Sequence, residues 1–461
     1  MTVGWLAAAI AGRIVSGDPE QVVGRIVTDS RSLQAGDFFI ALRGARFDGH
    51  AFVDEALERG AMGAIVEAGT TADLKVRQPV IIEVGDTTVA LQDLAHAVRE
   101  ATETKVIAIT GSAGKTTTKD TIADFLSESY RVVKNKGNLN NHIGLPLSLL
   151  QLRDRPDIAV MELGMNHAGE IRTLVAIADP DLRVWTNVGD AHLGFFASPD
   201  AIADAKAEIL EGAGPHDVLI CNADDPRVMA RAPQFVGRIV SFGEAEGATV
   251  RAVAIEDRGV DGMRARVITP RGETHIETPL LGRGNLANVL AATAVALELA
   301  VPLEAVTRRA NGLRPSDRRG AVHRLRGVTL VDDSYNSSPS ALKRALDVIA
   351  REQRATRKVA VLGEMLELGA FSSDLHKDAG RAAAAAGVDQ LFVVGGEPGR
   401  QLGEAAVAAG MTPANVIYFE QSTAAAPTIA AAIRDGDVVL VKGSRGTRTD
   451  LIADRIVEAF S

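Results

Sequence analysis

The segment Thr110–Thr117, which reads Thr-Gly-Ser-Ala-Gly-Lys-Thr-Thr, has the residue types and spacing of a loop that could hold phosphate groups. Its two glycines would let backbone N–H groups curl around phosphate oxygens, and Lys115 would neutralise the β and γ phosphates. Thr116 offers a hydroxyl ligand for Mg²⁺. The loop is shorter than the general G-x-x-x-x-G-K-[ST] pattern, whose first glycine would fall on Ile109. We therefore predict a compact nucleotide-binding loop rather than a plain turn.

Such a loop requires a strand before it and a helix after it. Residues 105–110 are an apolar, β-branched run, and Ile122, Phe125 and Leu126 share one face of the helical pattern that follows. The N-terminus of that helix would add positive potential at the loop. The pattern predicts a strand–loop–helix unit.

Two further candidates follow predicted buried strands. Glu162 comes after residues 157–161, and His192 comes after residues 184–189. Ligands of parallel sheets bind at the carboxyl ends of the strands, so Glu162 suits Mg²⁺ coordination, with a solvent-exposed carboxylate as the ordinary alternative. A lone histidine is more often structural, and spacing by itself leaves the role of His192 open.

Lys206 lies in residues 201–210, a helical stretch whose alanines and isoleucines suggest partial burial. A buried lysine tends to lose its proton, and a neutral amine can react with CO₂ to form a carbamate, which is an anionic oxygen ligand. The pattern by itself nevertheless favours a surface lysine.

The segment Asp332–Asn336 follows another predicted strand. Its carboxylates and amide could bind ribose hydroxyls or adenine, and its tyrosine could pack on a base. An Asx-type turn between strand and helix accounts for the same residues equally well.

Alternating predicted strands and helices form three blocks, because 461 residues exceed what one hydrophobic core usually serves. We predict an α/β protein with a small α/β N-terminal domain (1–103), a central parallel-sheet domain that carries the phosphate loop (104–314) and a C-terminal Rossmann-like domain (315–461). The charged segment 308–314 is interpreted as a linker. The alanine tract 382–386 is interpreted as part of a packed helix.

Composition excludes several functional classes. A net charge of −9 and a pI near 5.6 argue against a general nucleic-acid binder. No apolar run approaches the ~20 residues of a membrane span, so we expect no membrane insertion and a cytoplasmic location. The single cysteine, Cys221, is predicted to be a buried apolar residue on a strand rather than a nucleophile.

Taken together, these segments resemble the Mur ligases over nearly the whole chain. Thr28–Arg31 and Asp48–His50 are similar to the UDP-sugar-binding N-terminal domain of that family, and Gly111–Thr118 is similar to its compact phosphate loop. The more specific part of the resemblance lies in five segments, 137–144, 162–167, 332–336, 361–369 and 442–445.

The resemblance implies a monomeric ligase that uses ATP to join D-alanyl-D-alanine to UDP-N-acetylmuramoyl-tripeptide through an acyl phosphate. The products would be UDP-muramoyl-pentapeptide, ADP and phosphate, in peptidoglycan precursor synthesis. Another ligase of the superfamily is the nearest alternative, either the enzyme that adds the preceding amino acid or a folylpolyglutamate synthetase. A nucleotide-binding regulatory protein without ligase activity is the alternative from a different class.

The resemblance also assigns roles by position. The implied catalytic residues are Lys115, Glu162, His192 and Lys206. The implied ligands of Mg²⁺, expected as two ions, are Thr116, Glu162, His192 and Lys206 as its carbamate.

The implied binding residues fall into two groups. Those for ATP are Gly111, Ser112, Ala113, Gly114, Lys115, Thr116, Thr117, Asn285, Asn288, Arg319, Asp333 and Asn336. Those for the other substrates are Ser30, Arg31, Asp48, Gly49, His50, Asn141 and His142. One departure concerns Gly284, which stands where many members carry a histidine, so the adenine contact there would come from backbone or water.

Overall fold

The structure is a computed structural model that describes residues 1–44, 47–70, 79–190 and 193–461. The chain forms two compact units. The first consists of Met1–Ala108, Tyr130–Met165 and Gly169–Leu182. The second consists of Ile109–Ser129, Asn166–Ala168 and Arg183–Ser461.

The part of the chain before residue 104 contains a five-stranded sheet in the order β1-β5-β4-β3-β2. Strands β2 to β5 run parallel to their neighbours, whereas β1 pairs antiparallel with β5. Strand β5 is buried at every position from Val80 to Val84. The elements are α1 (Val3–Ala9), β1 (Arg13–Ser16), β2 (Ile26–Val27), β3 (Phe38–Ile40), α2 (Val53–Glu58), β4 (Gly63–Glu67), β5 (Val80–Val84) and α3 (Thr87–Glu100).

Strands β6 to β14 belong to a nine-stranded sheet in the order β14-β13-β12-β11-β10-β9-β6-β8-β7. Strands β10, β11 and β12 run parallel to one another, and β12, β13 and β14 form an antiparallel end. The elements are β6 (Lys105–Thr110), α4 (Lys115–Leu126), β7 (Val132–Lys134), α5 (Gly144–Leu149), β8 (Ile158–Glu162), α6 (Glu170–Ala178), β9 (Leu182–Trp185), α7 (Pro199–Ala207), β10 (Val218–Asn222), α8 (Pro226–Arg231), β11 (Arg238–Gly243), β12 (Val250–Asp257), β13 (Met263–Thr269), β14 (Gly272–Thr278), α9 (Gly282–Glu298) and α10 (Leu303–Asn311).

The remaining residues form a six-stranded sheet in the order β15-β16-β20-β17-β18-β19, in which only the β15–β16 pair is antiparallel. The elements are β15 (Ala321–Arg324), β16 (Thr329–Asp333), α11 (Pro339–Arg351), β17 (Arg357–Gly363), α12 (Ser372–Ala385), β18 (Gln390–Val394), α13 (Glu397–Ala408), β19 (Val416–Phe419), α14 (Ser422–Ala432), β20 (Asp437–Lys442) and α15 (Asp450–Phe460).

Strand β17 shows why the strands of this last sheet read as continuous apolar runs. Val359 and Val361 pack into a core on one face, whereas Ala360 and Leu362 pack into a second core on the other face. Helices cover both faces of such a sheet, so every position from Val359 to Leu362 is apolar. This arrangement is the predicted Rossmann-like one.

The interpretation of segment 308–314 as a linker is wrong for its first half. Helix α10 continues to Asn311, with Val306 and Ala310 buried on one face. Beside this buried face, Nε of Arg309 donates to Asp124 at 2.9 Å. Helical periodicity decides the structure here, and the helix ends only where Gly312 follows.

Two other expectations are confirmed. Residues 382–385 of the alanine tract form the last turn of α12, Ala386 caps it, and Ala383 is fully buried. Cys221 is fully buried on β10, and burial raises the pKa of its thiol to about 11. Among the helices of the described residues, none is long and apolar enough to cross a membrane.

Candidate active site

In the second unit, the phosphate loop joins the end of β6 to the start of α4. Gly111 has φ of 151° and Gly114 has φ of 83°, conformations that L side chains rarely adopt. A Cβ atom at Gly111 would overlap the hydroxyl of Thr186, and one at Gly114 would overlap the side-chain amide of Asn288. Glycine is therefore required at both positions by conformation and by space.

The segment after β9 fixes the centre of this loop. The side chain of Asn187 accepts a hydrogen bond from the backbone N–H of Ala113 and donates one to its carbonyl, both at 2.9 Å. The hydroxyl of Thr186 donates to the same carbonyl at 2.9 Å. The sequence analysis did not identify Thr186 or Asn187, although they are polar residues at the end of a buried strand, the signal that selected Glu162.

Lys115 is the first residue of α4, and Thr116 is the second. The Nζ atom of Lys115 donates to the carbonyl of Gly111 at 2.8 Å, so its side chain folds back over the loop. The backbone N–H groups of the loop, the ammonium of Lys115 and the N-terminus of α4 thus create a positive potential at one place, and this potential favours an anionic phosphate group.

Lys206, on α7, is buried with 1% of its surface exposed. Burial lowers its pKa well below that of an ordinary lysine, and the charge of Lys115 lowers it further. Within the part of the chain that the structure describes, no hydrogen bond or ion pair to its ammonium is found. The surface position that the pattern favoured is wrong, and the neutral amine that carbamate formation requires is favoured.

Asn285 and Asn288 lie on α9 and are joined by a hydrogen bond of 3.0 Å from Nδ2 of Asn288 to Oδ1 of Asn285. Asn288 is buried and also accepts a hydrogen bond from the hydroxyl of Thr118 on α4 at 3.2 Å. Because Asn288 lies against Gly114, the first turns of α9 adjoin the phosphate loop.

After β16, the Asx-type turn predicted for the segment Asp332–Asn336 is present, whereas the nucleotide-binding role of these residues stays a prediction. Asp332 accepts hydrogen bonds from the backbone N–H and the hydroxyl of Ser334, which is the Asx-type turn. Asp333 instead pairs with the buried Lys442, whose Nζ atom lies 2.6 Å from its carboxylate and 3.0 Å from the carbonyl of Asn336.

The aromatic side chain of that segment contacts an arginine. The guanidinium of Arg319 lies 3.9 Å from the centre of the Tyr335 ring, a cation–π distance. Arg319, Asp333 and Asn336 therefore lie in one region at the carboxyl ends of β16 and β20, where ligands of such sheets bind.

In the first unit, Glu162 ends β8 and is buried with 4% of its surface exposed, so the solvent-exposed alternative is wrong. Its Oε1 atom accepts a hydrogen bond from Asn140 at 2.9 Å. Asn135 exchanges two hydrogen bonds of 3.0 Å with the backbone of Glu162. Asn140 thus positions the carboxylate and Asn135 positions the backbone of Glu162, and sequence reasoning assigned neither residue that role.

The predicted substrate residues Ser30 and Arg31 follow Asp29 in a short 3₁₀ turn. The Arg31 guanidinium donates two hydrogen bonds to Asp29, at 2.8 and 2.9 Å. This pairing, with the backbone N–H of Arg31, lowers the pKa of Asp29 to about 2. Ser30 is buried, whereas Arg31 is exposed.

The segment Asp48–His50 opens a second 3₁₀ turn. Asp48 accepts hydrogen bonds from the backbone N–H and the ring Nδ1 of His50, which lower its pKa to about 2. The ring Nε2 of His50 accepts from the backbone N–H of Glu67 at 2.9 Å. A side chain at Gly49 would press on the backbone of Leu42.

Asn141 and His142 are exposed and precede α5. Asn141 accepts a hydrogen bond from the backbone N–H of Gly144 at 2.8 Å, and the carbonyl of His142 accepts one from Gln92 at 3.1 Å. Their position is compatible with a surface that meets a substrate.

His192, predicted as a metal ligand, lies outside the described residues. In the described ranges, no group of three or more histidine, cysteine, aspartate or glutamate side chains is placed to hold a metal ion. Of the four predicted metal ligands, Glu162 is the one described residue that belongs to these four residue types. The metal site therefore stays a prediction.

The parallel α/β architecture and the glycine-lined loop at a helix N-terminus define a phosphate-loop nucleotide-binding protein. Comparisons with known families match residues 23–105 to the Mur ligase family, catalytic domain, residues 109–296 to the Mur ligase middle domain, and residues 318–445 to the Mur ligase, glutamate ligase domain. The chain belongs to the Mur ligase family.

Similar proteins match over the full length. The UDP-N-acetylmuramoyl-tripeptide–D-alanyl-D-alanine ligase of Bacillus subtilis is 33% identical over 99% of this chain and 98% of its own length. A crystal structure of MurF from Acinetobacter baumannii superposes with a TM-score of 0.89 at 33% identity, covering 99% of this chain and 98% of that one. MurF from Thermotoga maritima in complex with ADP gives 0.83 at 29% identity, covering 94% and 97%.

Proposed function

We propose that the chain is an ATP-dependent amide-bond ligase that joins D-alanyl-D-alanine to UDP-N-acetylmuramoyl-tripeptide, in the synthesis of peptidoglycan precursors in the cytoplasm. The observation that carries this proposal is the match at 33% identity, over 99% of the chain, to a ligase named for these two substrates. A folylpolyglutamate synthetase or a regulatory protein would have to share that whole-length similarity without sharing the reaction.

In the proposed reaction, the terminal carboxylate of the tripeptide attacks the γ-phosphorus of ATP, and the bond from that phosphorus to the bridging oxygen of ADP breaks. The amine of D-alanyl-D-alanine then attacks the acyl phosphate, phosphate leaves, and the amine gives up a proton. Phosphoryl transfer depends mainly on positioning and on charge stabilisation. Lys115 and the N-terminus of α4 provide positive potential at the phosphate loop.

The chain offers groups that fit Mg²⁺, a hard cation that prefers oxygen ligands. Thr116 is a hydroxyl donor in the first turn of α4, Glu162 is a buried carboxylate, and Lys206 is buried with a lowered pKa, as carbamate formation requires. With His192 they would hold the ion. When bound, the ion neutralises charge on the phosphate oxygens.

The remaining roles are proposed by position. Asn285 and Asn288 would face adenine. Arg319, Asp333 and Asn336 would contact the nucleotide from the C-terminal domain. The residues proposed for the UDP-muramoyl peptide and the dipeptide are Ser30, Arg31, Asp48, Gly49, His50, Asn141 and His142.

Phosphate release from ATP tests the proposal. Purified protein is incubated with ATP, Mg²⁺, UDP-muramoyl tripeptide and D-alanyl-D-alanine, and each component is omitted in turn. We expect release only when both substrates are present, together with a product that has the mass of the pentapeptide. Release with neither substrate, or only with folate and glutamate, would contradict the proposal.

A further inference from the structure

Gly284, the third residue of α9, lies against an arginine from another helix. A Cβ atom at this position would lie 2.9 Å from Cδ and 3.1 Å from Nε of Arg344, on α11. The arginine side chain therefore passes over the first turn of α9 through space that a side chain at position 284 would fill. The position of the Arg344 guanidinium therefore depends on glycine at 284, because any larger residue there would displace it.

This arrangement adjoins the nucleotide-binding elements of the second unit. Asn288, one turn along α9 from Gly284, touches Gly114 of the phosphate loop. At the start of α11, the hydroxyl of Ser340 lies 3.1 Å from where a Cβ at Gly189 would stand, and Ser112 of the loop lies 3.5 Å from the same point. Helices α9 and α11 thus both reach the loop.

The guanidinium of Arg344 is available for a ligand. Arg344 is exposed to solvent, and its side chain makes no hydrogen bond or ion pair with any residue that the structure describes. Desolvation by the surrounding protein lowers the pKa of Arg344, whereas the negative charges of Asp333, Asp190 and Asp347 raise it. An exposed arginine that has no hydrogen-bond or ion-pair partner among the described residues keeps its planar face and its N–H donors free for a ligand.

We infer that Arg344 is a further nucleotide-positioning residue and that its guanidinium packs against the adenine base of the bound nucleotide. The inference rests on the proposed function, in which Asn285 and Asn288 face adenine. The phosphate end of the nucleotide is already served by Lys115 and the N-terminus of α4, whereas Arg344 lies beside the residue that precedes Asn285. A flat cation suits the face of a purine, as it suits other aromatic rings.

Titration of ADP into the full chain by calorimetry tests the inference. We expect Arg344→Ala to weaken ADP binding by about 3- to 30-fold, the range of a cation–π contact. Arg344→Lys should recover only part of the affinity, because an ammonium has no planar face. Lys343→Ala is the matched control, since Lys343 is the exposed neighbour on α11, and it should bind ADP like the wild type.

Gly284→Ala provides an independent variant, because it displaces Arg344 without removing it, and we expect it to weaken ADP binding as well. Unchanged affinity in Arg344→Ala, or full affinity in Arg344→Lys, would overturn the inference and leave the proposed function standing. A wild-type chain that binds no ADP would overturn the proposed function and the inference together.

Discussion

The ammonium of Lys115 acts on Lys206, which is buried, so two lysines share one electrostatic environment beside the phosphate loop. One of them, Lys115, bonds to the carbonyl of Gly111 at 2.8 Å. The other has its pKa lowered by burial first and by its neighbour second. The positive charge of Lys115 disfavours a second positive charge on Lys206, and chemistry that turns Lys206 into an anion would replace that repulsion with attraction.

Lys206→Gln should therefore lose activity, by roughly 100-fold or more if the anionic group stabilises phosphoryl transfer. Nuclear magnetic resonance with ¹³C-bicarbonate should show a carbamate signal in the wild type that is absent from the variant. Lys343→Gln, a change at an exposed lysine, should keep both the signal and the activity. Near-normal turnover in Lys206→Gln would refute a role for the carbamate.

Gly114→Ala should weaken ADP binding by at least about tenfold, because a positive φ strains any L residue and the new methyl group would displace Asn288. Calorimetric titration of ADP measures the effect. Gly212→Ala is a matched control, since Gly212 also has a positive φ, of 67°, but nothing lies within 4 Å of its missing side chain. It should cost about 1 kcal/mol of stability and leave ADP affinity unchanged. Equal affinities in both variants would show that the loop tolerates the methyl group.

Asp333→Ala should destabilise the chain by about 3 kcal/mol, because it leaves the ammonium of Lys442 buried without its carboxylate. Adding Lys442→Met to that variant should recover much of the loss, since the unpaired charge is then removed. Denaturant unfolding of both single variants and the double variant gives the coupling free energy. Additive losses would mean that the 2.6 Å contact contributes nothing.

Cys221 should make the stability of the chain fall at alkaline pH. Its thiol has a pKa of about 11 in the fold and 9.0 as the ordinary value, so the unfolded state loses the proton first as the pH rises. The contribution is fully present below pH 9 and is lost between pH 9 and 11, by about 2 to 3 kcal/mol in total. Denaturant unfolding at several pH values should show a flatter decline for Cys221→Ala. Parallel declines for the two proteins would contradict this prediction.

Local pattern was sufficient for much of the fold. The strand Lys105–Thr110 has the predicted bounds, since a run of β-branched residues followed by glycines specifies a strand and a turn without reference to distant residues. The phosphate loop could be located for the same reason. Segment 308–314 was misassigned because its charge, Gly312 and the following Pro315 were given more weight than the 3.6-residue periodicity of Val306 and Ala310.

The α/β class, the phosphate loop, the burial of Cys221 and the resemblance that led to the family could be predicted from residue types alone, because each depends on residues at short spacing. The burial of Lys206, the hydrogen bonds from Asn135 and Asn140 to Glu162 and the approach of Arg344 to Gly284 became visible in the folded chain. Desolvation and contact of this kind depend on side chains from elements far apart in the chain. The alanines around Lys206 in the sequence are compatible with a buried or an exposed lysine, and the side chains that surround it in the fold decide between the two.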